Sequence, residues 1–363
     1  MIGILTFHRA ANYGAVLQAY ALQQVLNEYQ IENEIIDYRC SHVEKQYECK
    51  PHVSPIHIRQ FAKEIIEIPT RKEVRRQFDE FIGNYLKTSK SVYKKDFSEI
   101  HKNYKALITG SDQVWNLAVS GNDTTYMLDF AGESVKKISY AASIGPKEIE
   151  VDNKKTLSKY LKRYDYISVR EPAAKYLVEA MTGKAAVLDA DPTILLSIEK
   201  WDKLVQKSKL NYKNYIFVYI MQPSQELYDL ALKLAEQEKL QIYSLSMVPN
   251  KRKLGRDIRG IGVQDFLWMI KNANYVVTNS FHGLLFSIRF HKRFYWAFQK
   301  GTHMSNPRFE MLSEQYGIEC RRCQELGKIS NCTEINFDEI EKLMDNQRET
   351  SIGNLLNSVE DAD

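Results

Sequence analysis

The sequence predicts an α/β protein of two domains, each built on a parallel sheet, with a cleft between them. Three observations carry that expectation. Apolar runs of strand length alternate with amphipathic stretches of helical spacing, as in parallel sheets covered on both faces. The alternation runs twice, interrupted by the lysine-rich SIEKWDKLVQKSKLNYKN (197–214). Finally, 363 residues exceed one ordinary core and suit two, at roughly 100–200 residues per domain.

In chain order, MIGILTF is a first strand, HRAANYG a turn, and AVLQAYALQQVLNEY a helix whose Val16, Ala19, Tyr20, Leu22 and Leu26 share one face. NEIIDYR (33–39) is the second strand. Residues 56–105 break the rhythm with two helices separated at Pro69. The second opens on a capping box, Thr70 and Glu73, and stacks Val74, Phe78, Phe81, Ile82 and Tyr85 on one stripe. Its other face, Arg71, Lys72, Arg75 and Arg76, is either a solvated surface or a contact with an anionic membrane. The strand YKALITG leads into SDQVWN, KKISYAASIG is another strand, and YDYISVR feeds the helix EPAAKYLVEAMTG, with a C-cap glycine. AAVLDADPTILL closes the first half.

The unit restarts at YIFVYIMQ, a strand, followed by the helix SQELYDLALKLAEQEK and the strand LQIYSLS. VQDFLWMIKNA is a helix, NYVVTNS a strand, FHGLLFSIRF a helix and KRFYWAF a final strand. This places a first domain at 1–200, with its helical insertion at about 56–105, a second at 210–335 and a helical tail at 336–363.

A net charge of +4 is too small to argue for nucleic acid, and no RNA-binding or zinc-finger spacing supports one. The start lacks a charged n-region and a small-residue cleavage site, and no run approaches a membrane span, so the expected location is cytoplasmic. Five cysteines at irregular spacing are no disulfide framework. Cys320, Cys323 and Cys332 offer three sulfurs without a fourth ligand, a poor zinc site, so reduced thiols and no metal are expected.

In open α/β sheets, ligands sit where strands feed helices. Four such turns hold polar groups: Asn12-Tyr13-Gly14, Gly110-Ser111-Asp112-Gln113, Arg170-Glu171, and Asn279-Ser280-Phe281-His282-Gly283. The last is the richest. A helix N-terminus attracts phosphate or carboxylate, Ser280 can cap or bind, and Gly283 would let a ligand approach the backbone. His282 can move protons near neutral pH, or simply pack. Arg170 can clamp an oxyanion or pair with Glu171. Asp112 can accept a proton or N-cap the next helix, and Trp115 can be a stacking wall for a sugar or part of the core. Arg289, one face along from His282, complements its helix C-terminus. No phosphate-binding glycine loop, nucleophile elbow or metal-holding D-x-D pair is present, which weakens the case for a metal-dependent glycosyltransferase.

Five segments in order, NYGAVLQAYAL, GSDQVWN, ISVRE, DPTILL and TNSFHGLLFSI, resemble the polysaccharide pyruvyl transferase family over about residues 1–300. The resemblance implies two Rossmann-like domains arranged as in GT-B glycosyltransferases; the acceptor is expected on the N-terminal side and the donor on the C-terminal side. It implies transfer of a pyruvyl group from phosphoenolpyruvate, with no further cofactor, to a sugar of a cell-surface polysaccharide or its lipid-linked precursor, giving a cyclic ketal. The family's histidine in S-x-H-G and arginine in V-R-E carry over to His282 and Arg170.

Around them, His282 and Asp112 are the expected catalytic groups, and Arg170, Asn279, Ser280 and Gly283 the donor-binding ones. Asn12, Tyr13, Gly14 and Trp115 are the expected acceptor side, and a lipid-linked acceptor would bring contact with the inner membrane face. A nucleotide-sugar glycosyltransferase and a non-catalytic member of a polysaccharide-assembly complex are the alternatives.

Overall fold

The structure is a computed structural model, describing residues 1–45, 47–48, 50, 58–100, 103–246, 254–300, 306–323 and 334–360. Among the described residues, eleven strands form two wholly parallel sheets. The first contains β1 (Ile2–Leu5), β2 (Asn33–Ile35), β3 (Ala106–Asp112), β4 (Lys136–Ala142), β5 (Ser168–Val169) and β6 (Val187–Leu188), in the order β2-β1-β3-β4-β5-β6. The second contains β7 (Tyr215–Ile220), β8 (Gln241–Ser246), β9 (Arg256–Asp257), β10 (Tyr275–Thr278) and β11 (Arg293–Trp296), in the order β11-β10-β7-β8-β9. The central strands β1, β7 and β10 are buried along their whole length, as a sheet covered on both faces requires. Only β9, two exposed residues on the sheet edge, has no counterpart in the apolar runs.

The lobes share one continuous core. It includes Ile4, Val16 and Leu22 from the first and Phe217, Phe266 and Leu284 from the second. Tyr13 bridges them: its ring stacks on Phe266 at 4.4 Å and its hydroxyl donates to the Ile261 carbonyl at 2.9 Å. The lysine-rich stretch does more than link. Its helix Ile198–Val205 buries Trp201 completely, edge-on to Phe286 at 5.0 Å and tilted against Tyr20 at 5.9 Å. Burying a large apolar side chain of this kind contributes about 1.5–3 kcal/mol.

Two helical expectations change. The insertion is one 28-residue helix, Ile58–Tyr85, running through Pro69, so Thr70 and Glu73 form no cap. Pro69 lies on the exposed side, where water can replace the lost main-chain bond. The basic face is laced with acids: Arg76 bonds to Glu73 and Glu80, and Arg75 to Asp79. The final helix, Phe337–Glu360, reaches both lobes. Glu341 pairs with the buried Arg289 of the second, while the Ala190 amide and Asp189 of the first bond to Ser351 and Asn354. Arg289 also donates to the Leu196 carbonyl, so it anchors this helix rather than merely complementing its own. Cys320 is disulfide-bonded, which corrects the reading of reduced thiols there; Cys40 and Cys323 are free, and Cys332 lies outside the described residues. Among the described residues no helix is long and apolar enough to cross a membrane.

Candidate active site

The carboxyl ends of β3, β5, β6 and β10 converge between the lobes and bring together residues far apart in sequence. Ser280 N-caps the helix Phe281–Arg289, its hydroxyl accepting from the Gly283 amide at 3.2 Å. This fixes the first turn and sets His282 toward the first lobe. There the imidazole lies against Gly14, where a β-carbon would stand only 2.0 Å from His282 Nδ1. Gly14 is therefore required bare by a histidine of the opposite lobe. Asn12 accepts from the Gly14 and Ala15 amides at 3.0 and 3.3 Å, capping the helix Tyr13–Glu28.

Behind the histidine is a buried charge cluster. Asp191 follows β6, and its Oδ2 lies 2.6 Å from Arg170 Nη1 and 3.3 Å from His282 Nε2. Its Oδ1 caps the helix Pro192–Leu195 through the Thr193 amide and hydroxyl at 3.0 and 2.7 Å. Burial alone would raise the Asp191 carboxyl, but the neighbouring His282 and Arg170 outweigh it and hold the group well below the usual carboxylate range. Arg170 has no exposed side-chain surface and faces three acids, the others being Asp112 at 3.6 Å and Glu171 at 3.7 Å. Burial opposes its charge; Asp191, Asp112 and Glu171 together raise its pKa above the ordinary value. Glu171 in turn accepts from Ser143 at 2.6 Å.

Asp112, turned through a left-handed backbone at φ 72°, lies between Arg170 and Arg308, the latter 4.0 Å away. The following short helix is capped by Asn116, whose oxygen accepts from the Ala118 amide, so the N-cap alternative for Asp112 does not hold. Arg308, on the helix Pro307–Tyr316, is a second buried guanidinium at the site. Both arginines lie over the Phe281 ring, at 4.9 and 5.0 Å. Burial and then repulsion from Arg170 push Arg308 down to about 10. Arg170 Nε, Arg170 Nη2 and His282 Nε2 make no hydrogen bond of normal geometry, but each faces an acid, Glu171 at 3.7 Å, Asp112 at 3.6 Å and Asp191 at 3.3 Å.

Other expected site residues have structural employment. Asn279 accepts from the Met221 amide and donates to the Gln222 carbonyl, both at 2.7 Å, locking β10 to β7. Gly283 is packed: a β-carbon there would meet Thr278 Oγ1 and Tyr219 at 2.8 Å, so it is protein, not ligand, that approaches its backbone. Tyr13 is spent on the lobe interface. Trp115 is wholly buried, edge-on to Tyr164 at 5.7 Å, and offers no face to a sugar. Asp191 and Arg308 join the site without having been expected there. Asp191 carried a signal, an aspartate before Pro192 at a strand end, which is an N-cap pattern. Arg308 carried none. Among the described residues no group of three or more acidic, histidine or cysteine side chains could hold a metal ion.

Two facing parallel sheets with a charged interlobe site define a GT-B-type protein. The chain is similar in fold to a putative UDP-N-acetylglucosamine 2-epimerase from Listeria monocytogenes, with TM-score 0.51 and 11% identity over 97% of this chain and 90% of that one. It is also similar to the UDP-GlcNAc 2-epimerase of Methanocaldococcus jannaschii in complex with UDP-GlcNAc and UDP (TM-score 0.49, 12% identity, 96% and 92% covered). A third is the E. coli heptosyltransferase WaaC with ADP (0.41, 11%, 96% and 100%). No curated protein matches the sequence. A family model, polysaccharide pyruvyl transferase, matches residues 12–297. The chain belongs to that family.

Proposed function

We propose that the chain transfers a pyruvyl group from phosphoenolpyruvate to a sugar of a polysaccharide or its precursor, closing a cyclic ketal. The observation that carries this reading is the pair of buried guanidinium groups, Arg170 and Arg308, beside His282 and the first turn of the helix capped by Ser280. Phosphoenolpyruvate brings a phosphate and a carboxylate, acceptors that two buried guanidinium groups and a helix N-terminus suit.

The chemistry assigns work to each group. A proton added to the donor's methylene carbon leaves positive charge on the adjacent carbon, and a sugar hydroxyl attacks there. Phosphate then departs as its C–O bond breaks, and a second hydroxyl of the same sugar closes the ring. The two hydroxyl protons balance the new methyl hydrogen and the proton taken by phosphate. His282 supplies or relays protons, with Asp191 orienting the imidazole. Arg170 and Arg308 hold the donor, and Asp112 helps activate an acceptor hydroxyl.

The test is calorimetry with phosphoenolpyruvate on wild type, Arg170→Ala and His282→Ala, with UDP-glucose as control. Wild type binds phosphoenolpyruvate and ignores UDP-glucose, and Arg170→Ala abolishes the heat. Folded His282→Ala loses about 10²–10⁴ in turnover, the usual contribution of a positioned acid or base. Heat from UDP-glucose alone would make the chain a glycosyltransferase. Near-normal turnover in His282→Ala would remove the histidine from the mechanism.

A further inference from the structure

A cavity of about 520 Å³ lies between the end of β6, the helix Pro307–Tyr316 and the final helix. Its volume is in the range that encloses a small organic ligand. Arg170, Asp191 and Phe281 line it, joining it to the charge cluster. The remaining polar lining differs in kind: Asp189, Glu314, Gln315, Asn346, Gln347 and Thr350, with aliphatic surface from Leu188, Ile194 and Met311 between.

That chemistry discriminates between ligands. Beyond the Arg170–Asp191 pair the lining adds two carboxyl groups, Asp189 and Glu314, and no second guanidinium, so the cavity favours a neutral ligand over an anion. Paired amide and hydroxyl groups donate and accept side by side, which suits vicinal hydroxyls, and aliphatic patches suit ring C–H faces. Asp189 supplies an independent sign. It is 2% exposed, its Oδ1 accepts from Asn354 at 2.8 Å, its Oδ2 makes no hydrogen bond of normal geometry, and burial pushes its pKa up against the hydroxyls of Ser168 and Ser351. A buried carboxyl oxygen without a well-formed hydrogen bond is costly, and a ligand hydroxyl can complete it. Gln347 is oriented by the Tyr316 hydroxyl, which donates to its oxygen at 2.7 Å.

We propose that this cavity is a carbohydrate subsite that holds one neutral pyranose ring, with hydroxyls on Asp189, Asn346 and Gln347. Identifying the ring as the acceptor rests on the pyruvyl-transfer reading; the presence of a sugar site does not.

The experiment is saturation-transfer NMR with methyl glycosides of glucose, galactose, mannose and N-acetylglucosamine, run beside phosphoenolpyruvate calorimetry on the same samples. Thr350→Trp, on the exposed rim, fills the cavity; Gln347→Leu removes the amide at similar size and serves if the tryptophan variant misfolds. At least one glycoside gives transfer to wild type, falling fivefold or more in either variant, with phosphoenolpyruvate heat unchanged. Equal transfer in wild type and variants, or none in wild type, overturns the subsite even where phosphoenolpyruvate binds. Transfer lost in the variants without any phosphoenolpyruvate heat upholds the subsite and fails the donor reading.

Discussion

Arg308 shows most directly how the buried charges of this site act on one another. Burial and the Arg170 charge push its guanidinium down to about 10, against the pull of Asp112, Glu171 and Asp191. A bound anion would relieve that repulsion. Replacing Arg308 with methionine keeps bulk and removes the charge that would meet the anion. The rise in melting temperature produced by phosphoenolpyruvate in wild type should vanish. Differential scanning calorimetry with and without phosphoenolpyruvate decides it: a large destabilisation of the unliganded variant would mean Arg308 is structural. This residue was illegible in the sequence because nothing local to it, before or after Pro307, marks it; only the return of its helix to the cleft places it near Arg170. His282 and Arg170 were legible because each closely follows an apolar strand, at the carboxyl edge of a parallel sheet where the cleft opens. Trp115 had the same credentials and belongs to the core, since turn position says nothing about which way a side chain points.

At the level of elements, the site depends on two helix starts meeting across the lobes. The imidazole of one packs on the glycine of the other, and no side chain fits between. Gly14→Ala should therefore force His282 from its place or part the lobes locally. The expected result is a loss of at least tenfold in turnover with near-native helix content, read by activity assay and circular dichroism. Unchanged turnover would show that the histidine has room the geometry denies. Strand and helix order could be read directly because buried parallel strands are continuous apolar runs, as in YIFVYI and YVVT. The long helix Ile58–Tyr85 was misjudged because an internal proline ordinarily ends a helix, and the exposed setting that tolerates it is a tertiary fact.

On the scale of the whole molecule, two buried carboxylates tie stability to pH. Asp191 joins the lobes through Arg170 and His282. Asp37, in the first lobe, accepts from His8 at 3.1 Å, Arg9 at 2.6 Å and Ser91 at 2.8 Å. Burial would raise Asp37, but the His8, Arg9 and Ser91 bonds prevail and hold it far below its ordinary range, as happens for Asp191. An unfolded aspartate titrates near about 3.9. Groups depressed on folding contribute fully above that value, and the contribution is lost as pH falls toward their folded values. The melting temperature should therefore drop steeply on acidification below about pH 4. Asp37→Asn should melt lower at pH 7 and give a flatter curve; parallel curves for the two proteins would refute the linkage.

The final helix has a consequence for the order in which the molecule can be completed. Synthesis delivers it after both sheets, yet Ser351 and Asn354 bond to Ala190 and Asp189 near the end of the first. Each sheet can therefore assemble from residues already made, while one wall of the cavity beside Arg170 is still missing. That wall is laid last, by a segment belonging to neither sheet.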